Sequence, residues 1–288
     1  MKKHISTLLF ILIFLIGLSL ILYPTVSNWW NQSRSSKVIS DYSELVAELK
    51  EDEYEQLWAE AVAYNQNRAG APNPYLLTPE QKEAYHKVLN LDSSGVMGYI
   101  EIPSLGVSLP VYHTVNEDIL QVAVGHLEWS DLPVGGEGTH CVLSGHRGLP
   151  SAKLFTDLDD LKVGDLFMLR ILDGLMTYEV DQILIVEPDD VKDLRQIPGQ
   201  DLCTLVTCTP YGVNTHRLLV RGHRVENTPE AIAVRVTANA VPLDPMIVAV
   251  IAAVPLMILA VILLLTTSKW RSERKRRRDQ LERFNTKH

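Results

Sequence analysis

Cys208 is the side chain best placed for chemistry in this sequence. It ends the apolar run Thr204-Leu-Val-Thr-Cys208 and is followed by Thr209-Pro210-Tyr211-Gly212. Pro and Gly at these positions favour a turn. A thiol at a strand end beside a loop is held rigidly yet remains open to substrate. The chain has three cysteines, Cys141, Cys203 and Cys208. An odd number fits a disulfide framework poorly and leaves one thiol to be accounted for. Cys203 lies five positions before Cys208, so in a strand it points to the opposite face and reads as a packing residue.

A thiol attacks as the thiolate, and a neighbouring histidine is its usual activator. His146 has the matching placement, since Cys141-Val-Leu-Ser-Gly145 reads as a strand and His146-Arg147-Gly148-Leu149-Pro150 turns out of it. Arg217 opens the last strand, Arg217-Leu-Leu-Val-Arg221, nine positions after Cys208. A hairpin with that loop brings the two strand ends side by side. A guanidinium there could stabilise the oxyanion formed when a thiolate attacks a carbonyl. From the residues alone, Arg217 could equally be a surface salt-bridge residue, as could Arg221 or Arg224. His126, His140, Cys141 and His146 are residue types that zinc prefers, but their spacings match no usual zinc finger. His126 reads as a residue supporting the active site from behind, and His113, His140 and His216 read as structural. No cofactor and no metal is called for.

The elements that position these residues are mostly short strands. Met97–Ile102, Val107–Tyr112, Thr139–Ser144, Asp165–Leu172, Met176–Val186, Leu202–Cys208 and Arg217–Val225 are bounded by Gly, Pro and Asp. That texture predicts an all-β barrel or sandwich over 95–227. One short helix is expected over Asn116–Ala123. Before the barrel, Ser40 to about Asn67 reads as helix, with Leu45, Leu49, Leu57 and Val62 near helical spacing. Residues 68–77 have the Gly and Pro content of a loop. A second helix starts at Thr78, with Thr78 as N-cap, Pro79 first and Gln81 third, a capping-box arrangement.

The ends read as membrane anchors. Residues 1–6 are basic, and 7–23 contain no charge. This is the layout of a signal peptide, but no small-x-small cleavage site follows, and Tyr23, Trp29 and Trp30 suit an interface beside an uncleaved anchor. A linker at 228–245 leads to a second uncharged run at 246–265, long enough to span a bilayer. The tail at 266–288 holds nine Lys/Arg against three Asp/Glu, although the whole chain carries net charge −8. Positive charge beside a membrane helix marks the cytoplasmic side. The expectation is therefore a two-pass membrane protein with both termini cytoplasmic and an acidic domain outside. Such a domain argues against nucleic acid as a partner.

The sequence resembles the sortases. Thr204-Leu-Val-Thr-Cys208 matches the signature Thr-Leu-x-Thr-Cys, and the run on to Arg224 through Tyr211-Gly-Val-Asn-Thr-His-Arg217 is similar to class C, pilin-polymerising members. So are Gly125-His126, Leu132-Pro133-Val-Gly-Gly136 and Leu143-Ser-Gly-His-Arg-Gly-Leu-Pro150. The resemblance covers about residues 95–224. It implies an eight-stranded closed barrel, with Cys208 as nucleophile, His146 as general acid/base and Arg217 as oxyanion and substrate contact. Thr207 and Asn214 become supporting or substrate-contact candidates. It implies a thiol-protease-like transpeptidase that cleaves a Leu-Pro-x-Thr-Gly-type sorting signal after Thr, holds a thioester, and passes the acyl group to a lysine amine of another pilin subunit. Its partners would be pilin precursors and the cytoplasmic membrane. A housekeeping sortase that attaches proteins to cell-wall peptide is the alternative enzyme, and a non-catalytic membrane-tethered receptor is the alternative of another class. Class C members commonly carry a lid with an Asp-Pro-aromatic motif before the barrel. Here Asn73, Pro74 and Tyr75 stand in that place, with Asn where the family has Asp.

Overall fold

The computed structural model describes residues 2–68 and 75–228. Helix α1 runs from Lys2 to Glu48, α2 from Glu51 to Arg68 and α3 from Pro79 to Lys87. Eight strands follow: β1 (Val96–Ile102), β2 (Val107–Tyr112), β3 (Val124–His126), β4 (Thr139–Ser144), β5 (Leu166–Ile171), β6 (Gly174–Val186), β7 (Asp201–Thr209) and β8 (His216–Val225). A one-turn helix α4, Glu117–Leu120, lies between β2 and β3.

The strands close into a barrel in the order β1-β2-β3-β4-β7-β8-β6-β5. The β2–β3 and β4–β7 pairs are parallel and the others antiparallel. Closure leaves no free sheet edge to aggregate. Inward positions alternate along each strand and carry Ile100, Leu143, Phe167, Leu169, Cys203, Leu205, Leu218 and Val220. Phe167 stacks on Tyr178 inside the barrel, and burying a ring of that kind stabilises the fold by about 2 kcal/mol.

The expected single helix from Ser40 to Asn67 is two helices. The chain breaks at Leu49–Lys50, where the Glu53 carboxylate accepts from the Lys50 backbone N–H at 3.0 Å. Glu51, Asp52 and Glu53 fill the first turn of α2, where negative charge suits the helix dipole. Upstream, α1 passes without a break through Pro24. Residues Ile11–Glu48 of α1 are long and apolar enough to cross a membrane by length and composition. The lower half of α1 buries Ser35, Ile39 and Tyr42, a helical stripe. The Tyr42 hydroxyl donates to Met97 O at 2.9 Å and accepts from Leu172 N at 2.8 Å, fastening α1 to two strand ends. The expected second anchor at 246–265, its linker and the basic tail lie outside the described residues.

α3 begins as expected, with both halves of the Thr78–Gln81 capping box formed. Its Tyr85 is fully buried and meets His126 Nδ1 at 2.7 Å. On α2, Asn65 exchanges two hydrogen bonds with the Leu132 backbone, at 3.1 and 2.8 Å. The helical segment is thus pinned to the barrel by polar contacts as well as by packing.

Three buried histidines make this fold acid-sensitive. Burial pushes the His126 pKa down to about 3 and lowers those of His113 and His140. Unfolded histidines titrate near pH 6.5. The folded pKa values are depressed, so the unfolded chain binds more protons below about pH 6.5. Stability is therefore full above that pH and is lost as the pH falls toward 3, by about 1.4 kcal/mol per pH unit for His126 alone. Thermal unfolding of the detergent-solubilised chain from pH 7 to 5 will show a falling midpoint, and His126→Gln will shallow the slope. A midpoint flat across that range contradicts this account.

Candidate active site

Cys208 and Arg217 are direct Cα partners across the antiparallel β7–β8 pair. The side on which they lie follows from their neighbours. Cys203 and Leu205 of β7, and Leu218 and Val220 of β8, belong to the interior of the barrel. Val206 and Leu219 belong to a separate apolar cluster with Val142 and Leu194. With a period of two, Cys208 and Arg217 share the outer face with Val206 and Leu219. Both are half-buried.

His146 joins them through the parallel β4–β7 pair, whose last register pair is Ser144 with Val206. Pairing persists one step further, because Gly145 N donates to Val206 O at 3.1 Å and Thr207 Oγ1 donates to Gly145 O at 2.8 Å. Continuing this register brings His146 level with Cys208 and onto the same outer face. Three neighbouring strand ends therefore present His, Cys and Arg in one row. Gly145 is required here, since a Cβ would lie 2.7 Å from the Phe155 ring. Phe155 N also donates to His146 O at 3.1 Å.

The environment of Arg217 separates it from the other arginines of β8. Arg221 forms a two-pronged ion pair with Asp181 at 2.9 and 3.0 Å, and Arg224 reaches Asp201 at 4.0 Å. Among the described residues no carboxylate pairs with Arg217. Its Nη1 donates only to the His216 and Asn214 carbonyls, at 3.2 and 3.5 Å. This cation can receive an external oxyanion or carbonyl. Asn214 has φ 61° and its N–H donates to Pro210 O at 2.9 Å, so its contribution is the turn that aims Arg217. Thr207 is buried and holds the strand leading into His146.

The other histidines and cysteines are elsewhere. His126 is fully buried and bonds to Tyr85, Asp131 O and Ser130, so its place is the junction of α3 with β3. His140 meets Arg195 O and Thr204 Oγ1, whereas Cys141 packs inside with Cys203. His126, His140, Cys141 and His146 therefore do not converge as metal ligands. Burial and the adjacent Cys203 push the Cys141 thiol up, away from reactivity.

Two residues near the site were not singled out from the sequence. Arg147 follows His146 and donates to Thr209 Oγ1 at 3.3 Å. It also pairs closely with Asp159 and lies over the Tyr211 ring at 5.9 Å. It thus ties the chain after His146 to the chain after Cys208. Its position in the Ser-Gly-His-Arg-Gly run was the available signal. Glu117 of α4 places Oε2 at 3.4 Å from His146 Nε2.

The lid candidates fall only partly within the described residues, since Asn73 and Pro74 lie outside them. The Tyr75 ring meets Trp129 edge-on, 5.1 Å between centroids. Arg68, at the other end of the segment, donates to Trp129 O at 2.6 Å. Trp129 packs on the outer cluster that contains Val206 and Leu219. Arg68 and Tyr75, the described residues on either side of 69–74, thus both meet Trp129.

Comparison with known proteins decides the family. A family model described as the sortase domain matches residues 100–225. The crystal structure of sortase C1 from Streptococcus agalactiae is 50% identical and is covered completely by 67% of this chain, with TM-score 0.65. The chain belongs to the sortase family. Sortase C of Clostridium perfringens, solved with a C-terminal cell wall sorting motif, is 44% identical over 66% of this chain and 98% of its own, with TM-score 0.59. Sortase C of Streptococcus pneumoniae, whose structure is described as bearing on catalysis and pilin substrate specificity, is 43% identical over 66% and 97%, with TM-score 0.60. These three solved neighbours are named as sortases of class C, whereas a lid mutant of sortase A from Corynebacterium diphtheriae is 39% identical with TM-score 0.59.

Proposed function

We propose that this sortase is a membrane-anchored transpeptidase that polymerises pilin subunits. The Cys208 thiolate attacks the Thr carbonyl of a Leu-Pro-x-Thr-Gly-type sorting signal. Arg217 donates to the oxyanion that forms. His146 gives a proton to the departing Gly amine, and the C–N bond breaks to leave a thioester on Cys208. A lysine amine of a second pilin subunit then attacks the thioester, losing its proton to His146, and the thiolate leaves. The pairing of Cys208 with an arginine that has no carboxylate partner among the described residues carries this reading. The class C neighbours and their described substrates support it. The test is to incubate the solubilised chain with a peptide bearing the sorting signal and a lysine-containing pilin domain. Mass spectrometry should find a Thr–Lys isopeptide, and release of free Thr-ended peptide alone would exclude polymerisation.

The segment 68–77 acts in this reading as a lid that is only weakly closed. Asn73 can offer Arg217 a neutral hydrogen bond and no ion pair, and a charge-assisted bond is roughly twice as strong. The open state is then more populated than it would be with Asp. Cys208 will react more slowly with a thiol reagent in Asn73→Asp, and more rapidly in Tyr75→Ala, whose anchor on Trp129 is gone. Unchanged rates in both variants would show that the segment does not cover this site.

A further inference from the structure

We propose that Glu117 is a positioning carboxylate for His146, holding its ring in place and stabilising its protonated form. The inference rests on the reading of His146 as general acid/base and adds a residue to it. The Glu117 Oε2 lies 3.4 Å from His146 Nε2, so the ring N–H donates to the carboxylate. The other oxygen, Oε1, accepts from Gln121 Nε2 at 2.5 Å, one helical turn along α4. The carboxylate is therefore oriented from one side and orients the imidazole on the other. A nucleophile, a base and a third group that aims the base is the recurring arrangement in enzymes with activated nucleophiles. Here the third group comes from the β2–β3 connection, outside the strands that bear Cys208 and Arg217.

The chemistry needs such a group. His146 must be an imidazolium when the Gly amine leaves, and nearby positive charge works against that. The charged and titratable groups around His146 are Arg217 and Cys208 from the adjoining strand ends, Arg147 with its partner Asp159, and Glu117. Asp159 is engaged by Arg147, which leaves Glu117 as the carboxylate in contact with the ring. Hydrogen bonds from Gln121 and then from His146 hold the Glu117 carboxyl below the usual range, so it is ionised wherever the enzyme works. The pair is open to solvent, with Glu117 largely exposed. Its effect is accordingly modest and salt-dependent.

The experiment is the pH–rate profile of acyl-enzyme formation by the full chain in detergent, using a Leu-Pro-x-Thr-Gly peptide. In Glu117→Gln the limb that reports loss of the imidazolium proton will move to lower pH, because the carboxylate that accepts from the ring is gone. At pH 7.5 the rate will fall by up to about threefold with KM unchanged. Raising the salt concentration will shrink the difference from the unmodified chain. Gln121→Ala, which frees the carboxylate without removing its charge, will show a smaller shift. Asp118→Asn, the neighbouring exposed carboxylate with no contact to His146, will show none. The proposal is overturned if the Glu117→Gln profile superimposes on that of the unmodified chain. It is also overturned if the rate drops with no shift of the limb, or if Asp118→Asn shifts the limb equally. A failure of the underlying reading would look different, because His146→Ala would then keep most of the rate.

Discussion

Cys208→Ala will form no acyl-enzyme and will retain no transfer activity, a loss on the order of 10⁴-fold or more. The reason lies in where the three thiols sit. Cys141 and Cys203 are 3% and 0% exposed and face the interior of the barrel, and burial holds the Cys141 thiol protonated. Neither can reach a peptide at the outer face. Cys208 lies at the end of a strand, half-exposed, beside an arginine. Truncating it removes one sulfur atom from a position bordered by loop, so the melting temperature will change little. The loss is therefore chemical, and mass spectrometry with a parallel thermal melt separates the two effects. Thioester persisting in the variant would mean that the nucleophile is another residue.

Arg217→Lys will cost about 10² to 10³ in the rate of acyl-enzyme formation, the usual cost of removing one oxyanion donor. The substitution keeps the positive charge, so it tests geometry. The guanidinium is planar and can donate two parallel N–H bonds, while its Nη1 remains on the His216 and Asn214 carbonyls. An ammonium is a point charge that cannot do both. Arg221→Lys, by contrast, disturbs only the pair with Asp181 and will leave the chemistry close to normal. Pre-steady-state acylation measured on both variants distinguishes the roles. Near-normal acylation in Arg217→Lys would remove Arg217 from the oxyanion site.

Much of this architecture was legible from the residues. The strands that bear Cys208 and Arg217 are short apolar runs on either side of a Pro- and Gly-containing turn, so their hairpin could be read directly. The capping box at Thr78 is a local signature, and local hydrogen bonds formed it. Other features depend on tertiary contact and leave little trace in sequence. Strand β3 has only three residues, Val124–His126, too few for alternation to register. The break at Leu49–Lys50 has neither Gly nor Pro, and it is fixed by a side-chain cap and by docking of α1 through Tyr42. His126 is adjacent in sequence to family-like residues, yet in space it belongs to Tyr85 and the α3 junction. Glu117 and Arg147 were ordinary charges until the fold brought them to His146 and Thr209.

The central claim is that Cys208 is acylated by a sorting signal. Incubating the solubilised chain with a Leu-Pro-x-Thr-Gly peptide, quenching in acid and mapping the adduct by tandem mass spectrometry tests it directly. The expected result is an added Leu-Pro-x-Thr acyl group on the peptide containing Cys208, with the Gly-bearing fragment released in equal amount. Cleavage of the peptide with no adduct on Cys208, or an adduct on Cys141 or Cys203, would contradict it.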